Sequence, residues 1–307
     1  MKLLLENLEK KIVLVLRKGC GKMFKEYTQE ELIKLDRKSL SEGYLNSKYK
    51  SKKEKDEAIK KVIEYIKVWK ESAREMKDSE EKTKTKIIGG EAKKVFYSKK
   101  FLAGDLIQKA CFYALSVSQS NTLMGRVVAA PTAGSSGVIP GVVLALQEKY
   151  NFSDEQVAIS IFAGMAIGEI IHERANFAGA VLGCQAEIGS ATAMAAAIAT
   201  DLMKGTTKQS VDAASLALKN MLGLTCDPVA CLVEIPCVKR NPMAASYAIT
   251  ASSLSMCGIE SKIPFHEIVN VMQETGNKMD VSLKETSKGG LAMTPTGLKI
   301  LKKIKKI

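Results

Sequence analysis

Three of the seven cysteines sit in loop-like sequence beside glycine or proline. Cys184 lies in Gly183-Cys-Gln-Ala-Glu187, Cys226 in Leu224-Thr-Cys-Asp-Pro228, and Cys237 in Glu234-Ile-Pro-Cys-Val238. The first two are separated by 41 residues and the last two by 10. Glycine and proline let the chain turn sharply, so such loops can aim thiolates and backbone N–H groups at one point. Gathered thiolates hold metals or iron–sulfur clusters, tuned by hydrogen bonds to sulfur. Cysteine also packs as a small buried hydrophobe, and spacing this wide fits either use. On chemistry alone Cys231, between Cys226 and Cys237, stays a candidate ligand. Cys20, Cys111 and Cys257 read as core or surface residues.

The elements that would position these thiols read as helices. Leu102–Gln119, Ile139–Lys149, Gln156–Glu173, Ser190–Met203 and Gln209–Met221 are rich in alanine and apolar on most sides, and Met243–Cys257 and Phe265–Gly276 complete the set. That pattern predicts deep burial. Few segments alternate with a strand period, so the expected fold is all-α, its Gly/Pro/Cys loops converging on one site. The joints are Asn121–Gly125, Pro131–Gly137, Gly179–Gly189, Gly223–Cys237 and Ser287–Gly290, and each is read as a loop. Loops on a rigid scaffold are where binding groups usually sit.

The N-terminal part differs. Thr28-Gln-Glu-Glu31 and Ser153-Asp-Glu-Gln156 are capping boxes, with Tyr27/Leu32 and Phe152/Val157 placed as hydrophobic staples. A helix from about Lys52 to Lys77 carries Ala58, Val62, Ile66, Trp69, Ala73 and Met76 on one stripe. Lys82–Ala92 reads as a linker. The expected division is a charged helical region over 1–85 and a catalytic domain over 86–307.

The net charge of +13 admits nucleic acid or anionic membrane as partners. The lysines cluster in Lys48–Lys100 and Lys299–Ile307, away from the apolar motifs, with no zinc-finger or RNA-binding signature. They read as a solvated face or a face for an acidic partner, not for nucleic acid. The longest uncharged stretch, Val127–Gln147, holds Pro131 and Pro140 and is no membrane helix. An odd cysteine count and a start without a leader pattern place the chain in the reducing cytoplasm.

Five stretches together resemble a known family. GRVVAAPTAGSSGVIPG, GCQAEIGSA, NMLGLTCDPVA, VEIPCVKRN and ETSKGGLAMTPTG are similar to the α chain of the bacterial iron–sulfur L-serine dehydratases. The similarity runs from about Gly89 to Gly297, and more loosely through the N-terminal helices. It implies a [4Fe–4S] cluster on Cys184, Cys226 and Cys237 with one iron left open. Relatives usually carry glycine at the place of Cys231, so the resemblance makes that residue a variation rather than a ligand.

The open iron would act as a Lewis acid on the substrate hydroxyl while a base removes the Cα proton, giving pyruvate and ammonia from L-serine. Threonine or cysteine as substrate, and a non-catalytic regulatory or binding paralogue, are the alternatives. The resemblance marks Asn121, Thr132, Ala133, Gly134 and Ser135 as substrate-cradling residues, with Lys288 adding charge near the substrate carboxylate. His172 and His266 read as structural. In the family the candidate base is a histidine on a separate β domain, so a β subunit is expected as partner in a hetero-oligomer.

One segment departs from the family. Relatives read close to Asn-Ala-Ser-Ile-Ser-Gly-Ala where this chain has Arg174-Ala-Asn-Phe-Ala-Gly-Ala180. Two hydroxyls are lost, and Asn176 is the residue able to replace one of them, since an amide both donates and accepts.

Overall fold

The computed structural model describes residues 28–305. Tyr27, Cys20 and the N-terminal run that bore on localisation lie outside the described residues. Within them every regular element is helical, as the sequence predicts, and the one β contact is an isolated bridge between Cys226 and Lys284. In chain order the helices are α1 (Gln29–Leu35), α2 (Leu40–Lys48), α3 (Lys52–Met76), α4 (Glu91–Phe96), α5 (Gly104–Thr122), α6 (Val138–Tyr150) and α7 (Asp154–Arg174). They continue as α8 (Gly179–Leu182), α9 (Ser190–Leu202), α10 (Thr207–Lys219), α11 (Cys237–Met256), α12 (Phe265–Lys278) and α13 (Pro295–Ile304). No described helix is long and apolar enough to cross a membrane.

Helix α9 is the axis of the molecule. Every residue from Ser190 to Leu202 is buried, and the helix packs against α6, α7, α10 and α11. A helix apolar all round can exist only when surrounded, and its alanines let four neighbours approach closely. Two of its threonines bond within that packing. Thr192 Oγ1 donates to Ile188 O at 2.5 Å, and Thr200 Oγ1 reaches Ala196 O at 2.9 Å and Ser252 Oγ at 2.8 Å. Hydroxyls turned back on the helix cost little there.

Residues on both sides of position 85 share one core, in which Leu32, Leu40, Ile66 and Trp69 join Phe162, Ile198 and Phe265. The expected stripe on α3 is present, with Val62, Ile66, Trp69, Ala73 and Met76 buried. Asp201, at the end of α9, accepts from Ser41 N at 3.1 Å, Ser41 Oγ at 2.6 Å and Ser39 Oγ at 3.2 Å. Those bonds fasten the start of α2 to the central helix. Both capping boxes form, with Ser153 Oγ accepting from Gln156 N at 3.1 Å and Gln156 Oε1 from Ser153 N at 2.9 Å.

Two boundaries differ from the sequence reading. The segment Gly179–Gly189, expected as a loop, is helical: α8, a break at Gly183, then a π turn over Gln185–Gly189 running into α9. The break needs glycine, since Gly183 has φ +80° and a Cβ there would meet Met279 Sδ at 2.7 Å. Helix α11 begins at Cys237, six residues before the expected Met243. Pro242 reads as a helix start, yet it stands in the second turn. There it removes one hydrogen bond from a helix otherwise held by packing.

Candidate functional site

The thiols of Cys184 and Cys226 and the carboxylate of Glu187 come together, each offering a ligand atom within 4.8 Å of the other two. Cys184 follows the Gly183 break and opens the π turn. One-turn π bulges inside helices recur at functional sites, because they re-aim side chains. Gln185, fully buried, clamps this turn to its neighbours. Its Nε2 donates to Leu182 O at 2.9 Å and Met272 O at 3.0 Å, its Oε1 accepts from Gly223 N at 2.9 Å, and its backbone N donates to Leu224 O at 2.9 Å. The loop bearing Cys226 is thereby fixed to the segment bearing Cys184. Cys226 is held from the other side, its N donating to Leu283 O at 2.8 Å and its O accepting from Glu285 N at 2.6 Å.

Cys237 is the first residue of α11 and is buried. It lies outside the tight Cys184–Glu187–Cys226 group, but near enough for the charges of Cys184 and Glu187 to bear on it. The next turn of α11 brings two residues that the sequence reading did not single out. Arg240 lies against Cys184, donates to Thr225 O at 2.8 Å, and pairs with Asp227 at 3.1 Å. Asn241 donates to Gly134 O at 2.8 Å and Cys237 O at 3.0 Å, and its Oδ1 accepts from Gly137 N at 2.9 Å. Cys237, Arg240 and Asn241 are spaced i, i+3, i+4, so one helix face carries all three. That spacing was the available signal, once α11 is started at Cys237.

The Pro131–Gly137 loop therefore rests on α11 beside the thiols. Thr132 Oγ1 and Ser135 Oγ are 3.0 Å apart, and Asn121 Nδ2 donates to Ala133 O at 3.4 Å. The Thr132 hydroxyl donates to Glu187, and a Cβ on Gly134 would lie 3.3 Å from Glu187 Oε2. Ser136 Oγ is buried without a hydrogen-bond partner among the described residues. Of the expected substrate residues, Thr132 and Gly134 lie beside Glu187, Ser135 is buried against Thr132, and Asn121 bonds to Ala133 O.

Asn176 is exposed and its Oδ1 accepts from Ala178 N at 2.8 Å, so it braces its own turn. Lys288 is exposed, in a loop that leans on the Cys226 segment through Ser287, which accepts from Cys231 N at 2.9 Å and donates to Pro228 O. Cys231 itself is exposed, Cys111 is buried against Ser246 Oγ at 3.4 Å, and Cys257 is exposed. His172 is exposed and stacks on Phe177, and His266 Nδ1 accepts from Gln29 N at 3.4 Å.

The electrostatics are those of a donor set awaiting a cation. The hydrogen bond with Cys184, then burial, pushes the Cys226 thiol well up. The same hydrogen bond, helped by Arg240 and opposed by burial, draws Cys184 down. Burial, with the negative Cys184 and Glu187 beside it, pushes Cys237 up to about 12. Burial likewise raises Glu187 to about 7, against the Thr132 hydrogen bond. Crowded sulfur and carboxylate donors resist ionising together, and a bound metal removes that resistance because coordination deprotonates a thiol outright. Two gathered thiols, with Cys237 on the adjoining start of α11, suit a soft metal or an iron–sulfur cluster, so the residues present fit such a group.

A family model described as the serine dehydratase alpha chain matches residues 25–292. The chain belongs to that family. It is 46% identical over 225 residues to the probable L-serine dehydratase alpha chain of Bacillus subtilis, covering 72% of this chain and 75% of that one. It is 44% identical over 248 residues to the L-serine dehydratase alpha chain of Peptoniphilus asaccharolyticus, covering 80% and 85%. The L-serine dehydratase of Streptomyces coelicolor is 43% identical over 183 residues, which cover 59% of this chain and 40% of that one. The alpha-chain match takes in α1 to α12, all three loop cysteines and the Pro131–Gly137 loop.

Within this serine dehydratase alpha chain, the contact between loop and α11 is testable. A Cβ on Gly137 would meet Ala114 O at 2.3 Å, Ser118 Oγ at 2.5 Å and Asn241 Oδ1 at 3.0 Å. Gly137→Ala is expected to cost about 1–3 kcal/mol, as overpacking does, and to push the loop off Asn241. Denaturant unfolding beside the unchanged chain measures it; an unaltered midpoint refutes the contact.

Proposed function

We propose that this chain is the α subunit of a cluster-dependent L-serine ammonia-lyase, converting L-serine to pyruvate and ammonia. The observation that carries the reading is the convergence of Cys184 and Cys226 with Glu187 beneath the Pro131–Gly137 loop. Membership of the alpha-chain family supports the substrate. Cys184, Cys226 and Cys237 would hold a [4Fe–4S] cluster. When bound, such a cluster would supply Lewis-acid chemistry for loss of the substrate hydroxyl.

The chain's own residues bind and orient the substrate. Ala133 and Gly134 present backbone N–H groups for its carboxylate, with the Thr132 and Ser135 hydroxyls beside them. Asn241 and Asn121 hold that loop in place, and Arg240 keeps positive charge against Cys184. Lys288, on an exposed loop that leans on the Cys226 segment, would add positive charge for the substrate carboxylate. The Cα proton leaves to a base on a separate β subunit, as the relatives named alpha chains imply a second chain. L-Serine loses its Cα proton and its hydroxyl as water, and the resulting aminoacrylate tautomerises to an imine that water hydrolyses to pyruvate and ammonia.

The altered segment Arg174–Ala180 does not speak against turnover. Ala178 stands at the N-cap of α8 with extended backbone and no side-chain cap, where a serine would cap the helix. Asn176 braces the adjoining turn. The two changes therefore bear on local capping, in a segment whose next residue, Gly179, lies against Cys226 and Glu187.

The test is anaerobic reconstitution with iron and sulfide, with and without the candidate β chain. Bound iron, cluster absorbance and pyruvate release from L-serine by the two-chain complex are expected. A loaded complex that yields 2-oxobutyrate from threonine, and no pyruvate from serine, refutes the serine assignment.

A further inference from the structure

We infer that Glu187 is the residue that recognises the substrate's α-ammonium group, and so the residue that selects amino acids over other hydroxy acids. The inference rests on the serine ammonia-lyase reading. The first ground is charge. None of the ion pairs among the described residues involves Glu187. The cation nearest the thiols, Arg240, is committed to Asp227, Thr225 O and Cys184. A half-buried carboxylate without a fixed counter-ion is costly unless a ligand brings one.

The second ground is shape. Two glycines from different segments bring bare backbone close to Glu187, where a side chain would be crowded. A Cβ on Gly134 would stand 3.3 Å from Oε2, and a Cβ on Gly179 would stand 3.1 Å from the same oxygen. Gly179's Cβ would also come 3.0 Å from Cys226 Sγ. The carboxylate thus faces two stretches of bare backbone, with a thiol on one side and the carboxylate-binding loop on the other.

The third ground is valence. An ionised carboxylate offers about four acceptor positions, and Thr132 uses one. An α-amino acid carries its ammonium on the carbon between carboxylate and CH2OH. With the carboxylate on the Thr132–Ser135 loop and the hydroxyl toward the thiols, Glu187 is the anion positioned between them.

The test uses the reconstituted two-chain enzyme and two probes: L-serine as substrate, and 3-hydroxypropionate, which is serine without its amino group, as competitive inhibitor. Glu187→Gln is expected to keep iron and sulfide content and resting spectrum, and to raise KM for serine roughly 10- to 100-fold, as loss of a charge-assisted bond does. Inhibition by 3-hydroxypropionate should stay within about threefold of the unchanged enzyme. Glu187→Asp should show the same selective loss, smaller in size.

Equal weakening of both probes overturns the inference, and so does an unchanged KM for serine. Loss of iron or a shifted resting spectrum in both variants makes Glu187 a metal ligand instead, which also overturns it. If the unchanged loaded enzyme releases no pyruvate, the activity itself fails and the assignment falls with it. If that enzyme is active and only the selectivity is missing, the assignment alone fails.

Discussion

Cys226→Ser is expected to strip iron from the chain and to lower pyruvate release from serine by more than about a hundredfold. Removing an outer partner of a metal site typically costs roughly 10- to 100-fold, and loss of a thiolate that itself touches iron should exceed that. Serine is nearly the same size, and Cys226 sits in a loop fixed by backbone bonds to Leu283 and Glu285 rather than by its sulfur. The fold should therefore persist, and far-ultraviolet dichroism checks that it does. Cys184→Ser and Cys237→Ser should behave alike. Cys231→Ser is the internal control. That thiol is exposed, on backbone of φ +56°, and its loop is held through its N–H to Ser287. Iron content and rate should be unchanged by it. Iron lost with Cys231 and kept without Cys237 would reverse the ligand assignment.

The helices were legible because their signals are local. Ser153 and Gln156 cap α7 as the pattern demanded, and the α3 stripe follows from residues three and four apart. The segment after Ala178 was not legible as helix. Gly179, Gly183 and Gly189 in eleven residues read as loop, and no local rule announces a π turn. That turn exists because Gln185 bonds three separate segments at once, a tertiary fact. Pro242 hid the start of α11, and with it the shared face of Cys237, Arg240 and Asn241.

The site divides in the same way. The three cysteines stood out by chemistry and by likeness to the family, yet no spacing rule joins residues with 41 others between them. Glu187 lay in view inside the motif around Cys184. Its facing toward Gly134 and Gly179 depends on the π turn, and so could not be read in advance. Asn176 was named for its amide, and that amide serves its own turn. The serine lost at Ala178 was read as a lost hydroxyl donor, and its place at the N-cap of α8, which depends on the fold, was not legible.

Arg240→Met should be the most destabilising change on α11 that leaves every thiol in place. The guanidinium side chain is 18% exposed and its partner Asp227 5%, so this is a buried pair and not a surface one. Breaking such a pair from one side strands the other charge and typically costs about 3–5 kcal/mol. Asp227 retains one donor, Leu291 N at 2.8 Å, which offsets only part of that. Thr225 O loses its donor in the same step, and Cys184 loses the cation that helps draw its thiol down. Metal loading should weaken about 10- to 100-fold as well, as it does when an outer partner is removed. Arg240→Lys separates charge from geometry, because an ammonium cannot span Thr225 O, Asp227 and Cys184 as a planar fork can. Lysine should recover part of the loading and little of the stability. The decisive variant is Arg240→Met combined with Asp227→Asn, which removes the stranded charge. If stability returns toward that of the unchanged chain while iron affinity stays low, the two functions of Arg240 are distinct. If the double variant is no more stable than Arg240→Met alone, the stranded carboxylate is not the cause and the buried-pair account fails.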